Sequence, residues 1–81
     1  MIADAMVETD YIEFEFADRH YVARIATYGG GGGWGRVDVF AGRRIVGCGE
    51  FSRRGLVYLT MPVKPMRPQI EQLIGRVEAW A

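Results

Sequence analysis

Residues 11 to 17 read Tyr-Ile-Glu-Phe-Glu-Phe-Ala, an alternation that an extended strand sorts into two faces. Ile12, Phe14 and Phe16 fall on one side, with Glu13 and Glu15 on the other. The pattern recurs along the chain. Tyr21 to Tyr28 places Tyr21, Ala23 and Ile25 opposite Arg24, and Trp34 to Ala41 places Val37 and Val39 inward with Arg36 and Asp38 outward. Arg44 to Phe51 makes a fourth strand, weakened by Gly47 and Gly49, where a bulge or a close backbone approach is expected. Leu56 to Met61 makes a fifth. Between them lie Asp18-Arg19-His20, the glycine run Gly29 to Gly33, Ala41-Gly42-Arg43 and Ser52-Arg53-Arg54-Gly55, all read as turns or loops.

Pro62, Pro65 and Pro68 end this pattern, because proline lacks a ladder donor and restricts the residue before it. Beyond them the period becomes helical. Ile70, Leu73, Ile74 and Val77 recur at helical offsets, with Trp80 on the same stripe and expected in the core. A helix over residues 68–80 is expected, opened by Pro68 and weakened at Gly75, which is read as a close approach to a strand. Such a helix is too short to stand alone and must pack on the sheet. The expected fold is α+β, an antiparallel five-stranded β-meander over residues 11–61 covered by one C-terminal α-helix. The 81 residues suffice for one small domain. Residues 1–10 show no clear period and read as a partly ordered N-terminal arm.

Composition narrows the function classes. Apolar residues at 49% and charged residues at 25% suit a globular chain and not a disordered one. No apolar run approaches the ~20 residues of a membrane span. The single cysteine, Cys48, cannot form an internal disulfide, so the expected compartment is the cytoplasm. His20, the sole histidine, falls in an expected turn, and no nucleophile signature surrounds it, Ser52 or Cys48. Cys48 itself, between two glycines, reads as a small buried residue. Glu13 and Glu15 lie about 7 Å apart along a strand, without a cleft to set their protonation states apart. The glycine run is followed by neither Gly-Lys-Ser nor a helix, so it is neither a P-loop nor a dinucleotide fingerprint. No enzyme activity, cofactor or metal is expected.

The net charge of zero conceals a segregation. Up to Asp18 the chain carries Asp4, Glu8, Asp10, Glu13, Glu15 and Asp18 with no lysine or arginine. From Arg19 to Arg67 it carries eight arginines and Lys64 against only Asp38 and Glu50. Two readings stay open: the charges cancel between neighbouring strands, or they create fields that steer a partner. The glycine run likewise reads either as a plain hairpin loop or as a conformable loop presenting Trp34 and Arg36. Trp34 also reads as a cap on the core edge. In a meander the glycine loop and the Arg53-Arg54 turn share one end of the sheet, while Arg43 and Arg44 sit at the other. The candidate partner-binding residues are therefore Trp34, Arg36, Arg53 and Arg54 first, then Arg43, Arg44, Glu13 and Glu15.

A protein partner is the leading expectation, since interface energy concentrates in a few aromatic and arginine anchors. A nucleic-acid module is the alternative, with arginine-bearing hairpins on phosphates and Tyr28, Trp34 or Phe40 as stacking surfaces. Zero net charge and the acidic first strand count against it. In overall plan the chain resembles small phage- or mobile-element-encoded inhibitors of the anti-CRISPR type. The features behind this are the acidic segment Asp10, Glu13, Glu15 and Asp18, the glycine loop and the arginine pairs. The resemblance implies stoichiometric binding to a host nucleic-acid-guided nuclease complex, blocking target recognition. It transfers no site residue.

Overall fold

The computed structural model describes residues 7–28, 34–52 and 54–76. Five strands, β1 (Val7–Phe16), β2 (Arg19–Tyr28), β3 (Trp34–Ala41), β4 (Arg44–Ser52) and β5 (Gly55–Leu59), form one antiparallel sheet in chain order. A 3-10 turn over Lys64–Met66 leads into α1 (Arg67–Ile74). The expected α+β meander with a C-terminal helix is the fold.

The boundaries differ in instructive ways. β1 starts at Val7, so residues 7–10, read above as part of an arm, belong to the sheet and pair with Ile25–Tyr28. Glu8, Thr9 and Asp10 are polar on both faces, so no alternation marks them; the partner strand holds them. Residues 1–6 lie outside the described residues. The first turn is Ala17-Asp18, with φ of 52 and 63°, as a type I′ hairpin demands. Arg19 and His20, expected in that turn, therefore open β2 instead. β5 ends at Leu59 where Met61 was expected, and the chain leaves the sheet before the prolines.

The helix covers the sheet over a shorter span than its stripe suggested. α1 stops at Ile74, with Gly75 as its C-cap, and residues 77–80, including Val77 and Trp80, lie outside the described residues. Gly75 does not abut a strand. Among the described residues, a Cβ there would meet only Gln72 and Glu71 carbonyl oxygens of its own helix at 3.6 Å, which is ordinary contact. Pro68 occupies the first turn as expected, where its missing N–H costs no helix bond.

One face of the sheet carries the core: Ala23 and Ile25 of β2, Val37 and Val39 of β3, Phe51 of β4, and Leu56 and Leu59 of β5. Val63, Met66, Ile70, Leu73 and Ile74 close over it. Burying each such large side chain contributes roughly 1.5–3 kcal/mol, which holds an eight-residue helix that would melt in isolation. Glycines on this face make the fit possible. A Cβ at Gly47 would stand 2.5 Å from Val63 Cγ2, and one at Gly35 would stand 2.3 Å from Phe51 Cζ. Bare backbone there lets Val63, which caps the 3-10 turn, and the Phe51 ring approach the sheet closely. The strand register also slips between Val39 and Phe40, so β4 has both the bulge and the close approaches expected of its glycines.

Candidate binding face

The opposite face of the sheet carries no helix among the described residues, and its centre is a charge cluster. Arg24 of β2 stands directly across from Asp38 of β3, and Arg36 is two residues along the same strand. Arg24 donates to Asp38 Oδ2 from Nη2 at 2.8 Å and from Nε at 3.3 Å; Arg36 Nε donates to Oδ1 at 3.3 Å. Asp38 was expected to project outward into solvent. It does lie on the outer face, but it is buried at 5% exposure beneath the two arginines. A carboxylate so enclosed is tolerable because both its oxygens accept charge-assisted bonds. Through those bonds Asp38 raises the pKa of each guanidinium above the ordinary arginine value.

Aromatic rings surround this cluster. The Arg24 guanidinium lies 4.9 Å from the centre of the Phe40 ring, within cation–π range. Tyr11 of β1 is the cross-strand neighbour of Arg24 and is 65% exposed. Further along, Tyr28 and Trp34 are paired across β2 and β3 and stack with centroids 4.2 Å apart. Trp34 remains 44% exposed. It is neither a loose loop residue nor a core cap, but a strand residue on the open face whose ring is stacked on its neighbour. Tyr58 of β5, across from Glu50, extends the exposed aromatic surface.

The structure brings together only part of the residue set read from sequence. Trp34 and Arg36 lie on this face. Ser52 pairs with Trp34, which puts the exposed Arg54 at the end of the sheet where Tyr28 and Trp34 pair. Arg53 and Gly29 to Gly33 lie outside the described residues. Arg43 and Arg44 are exposed at the other end, beside the pair Ala41–Arg44, and join no cluster with Trp34. Glu13 and Glu15 are exposed on the β1 side of the same open face, where Glu13 lies 3.6 Å from His20 Nε2. Cys48, expected in the core, is instead half-buried on the open face across from Asp38.

Sequence reasoning missed Arg24, Asp38, Tyr11 and Tyr58 as members of the site. The signal was present only as three charged residues at strand positions facing away from the core. Pairing Arg24 with Asp38 requires the β2–β3 register, and the glycine run between these strands hides it.

Among the described residues, no three of His, Cys, Asp and Glu gather as a metal site requires, and no helix is long and apolar enough to cross a membrane. No protein-family model, curated protein or solved structure matches this chain.

Proposed function

We propose that this chain is a non-enzymatic binding module that docks onto a protein partner in the cytoplasm through the open face of its sheet. The observation that carries the reading is Trp34, 44% exposed yet held in place by stacking on Tyr28, two residues along β3 from Arg36, which Asp38 holds. Anchors ordered before binding lose little conformational freedom on contact, and tryptophan, tyrosine and arginine are the residue types that dominate interface energetics.

Charge favours a protein over a nucleic acid. The open face carries the carboxylates of Glu13, Glu15, Asp38 and Glu50 against the guanidiniums of Arg24 and Arg36, and both arginines are engaged by Asp38. A phosphate backbone would find a net negative surface there. The resemblance in overall plan read from the sequence makes a nucleic-acid-guided nuclease complex the first partner we propose to try.

Two measurements test this. Tryptophan fluorescence titrated with single-stranded DNA, duplex DNA and RNA at low salt should show no saturable change. Saturable binding that weakens steeply with salt would make the face a nucleic-acid platform instead. Immobilised protein should then retain a partner from bacterial lysate that the folded Trp34→Ala, Arg36→Glu variant loses at least tenfold. Equal retention by both would exclude this face.

A further inference from the structure

Among the described residues the sheet order leaves β1 and β5 as edges, and the two are not alike. β5 is five residues long and its pairing with β4 slips between Glu50 and Phe51. β1 runs ten residues in unbroken register with β2, from Val7–Tyr28 to Phe16–Arg19, and contains no proline. Exposed edges of this length usually carry a bulge, a proline or a lysine to prevent strand addition. β1 has none of these; its edge protection is charge alone, with Glu8 and Asp10 on the core-side register and Glu13 and Glu15 on the open face. The hairpin closes on the pair Phe16–Arg19, whose turn bond sets the alternation of the antiparallel ladder. Phe14, Ile12, Asp10 and Glu8 then share the backbone bonds to β2, and Thr9, Tyr11, Glu13 and Glu15 turn their N–H and C=O groups outward.

Side chains restrict what can pair with that ladder. Ile12, Phe14 and Phe16 pack against the core but are only half-buried, so the apolar face is unfinished at this edge. Glu8, Asp10, Glu13 and Glu15 give the strand four carboxylates and no cation. A second copy of β1 would set like charges against each other, which disfavours self-pairing. A strand of opposite charge would meet no such barrier.

We propose that the β1 edge accepts an extended segment of a protein partner, in which basic residues alternate with β-branched apolar ones, as a sixth strand. Its backbone completes the ladder at Thr9, Tyr11, Glu13 and Glu15. Its basic side chains lie beside Glu13 and Glu15, and its apolar ones extend the cover over Ile12, Phe14 and Phe16. This surface shares Tyr11, Glu13 and Glu15 with the open face but not the Tyr28–Trp34 pair, and it rests on the backbone register of β1.

A synthetic peptide of alternating lysine and valine, titrated into the isotope-labelled full chain and followed by amide NMR, provides the test. Expected are saturable shifts and slowed amide exchange at Thr9, Tyr11, Glu13 and Glu15. The same peptide N-methylated at every second residue, which removes its ladder donors, should bind at least tenfold more weakly. So should the original peptide to the Glu13→Lys, Glu15→Lys variant, whose dispersed spectrum shows whether it remains folded. Trp34→Ala should bind like the parent, which separates this proposal from the open-face reading. Equal binding by the N-methylated peptide would reduce the effect to charge attraction and overturn strand addition. Shifts confined to β5 or to the Tyr28–Trp34 pair, or no binding at all, would overturn it as well.

Discussion

The two faces of this sheet bury their centres by opposite means. On the core face, glycines at 35, 47 and 49 remove side chains so that Phe51, Val63 and Leu59 can lie against bare backbone. On the open face, long side chains do the covering: Arg24 and Arg36 lie over Asp38 and leave it 5% exposed, with no helix above it among the described residues. The first arrangement is a matter of shape and tolerates no added volume. The second is a matter of charge pairing, and it leaves rings and guanidiniums available to a partner. Substitutions on the core face should therefore act on stability alone, while those on the open face should act on stability and binding in different proportions.

The largest effect should come from Gly35→Ala. Its Cβ would stand 2.5 Å from the Ala26 carbonyl oxygen and 2.3 Å from Phe51 Cζ. The oxygen belongs to the backbone of the neighbouring strand, so rotating a side chain cannot relieve the contact. A loss of about 3 kcal/mol is expected, read as a lower midpoint of urea unfolding with an unchanged slope. A loss below about 0.5 kcal/mol, within the range of an ordinary surface change, would show that β2 and β3 separate easily and that the core face is not shape-limited.

Removing a lid from the open face should cost less. Arg24→Met keeps much of the side-chain volume over Phe40 but withdraws the closest donor from Asp38, whose side chain is only 7% exposed. Leaving a fully buried ion with no partner costs about 3–5 kcal/mol. Arg36 remains here as a second partner, so about 2 kcal/mol is the expected loss, smaller than for Gly35. Asp38→Asn in the Arg24→Met background should recover part of it, because the buried charge is gone. Failure of that rescue in the same urea titration would mean that Arg24 acts through packing on Phe40 and not through Asp38.

The contrast also explains what could be read without coordinates. Strand faces were legible wherever one side was apolar: Phe14 and Phe16 against Glu13 and Glu15, or Val37 and Val39 against Arg36. Turn order then put the glycine loop and the Arg54 turn at one end, because a meander alternates its ends. Burial of Asp38 was not legible, since it depends on which residue of β2 stands opposite, and a one-residue shift would put Ile25 or Ala23 there instead. The strand character of residues 7–10 was hidden for a related reason. Glu8 and Asp10 share the core-side register with Ile12, so they break the alternation that marks the rest of β1.

Gly75 gives the smallest effect and the sharpest comparison, because the same chemical change should reverse its sign there. Gly35→Ala forces a Cβ into backbone, whereas Gly75→Ala places one at 3.6 Å from helix carbonyl oxygens, at a φ of −66° that alanine adopts freely. With no strain in the folded chain, the main consequence is fewer conformations to lose on folding. Gly→Ala at such a site stabilises by about 0.4–1 kcal/mol, and the low end is expected at a helix terminus. The unfolding midpoint should rise slightly for Gly75→Ala and fall well below the parent for Gly35→Ala in the same buffer. A fall at both positions would mean that the end of α1 is packed as tightly as the core face. The small residue at 75 would then be required for close approach to a strand, as its occurrence inside the helical segment first suggested.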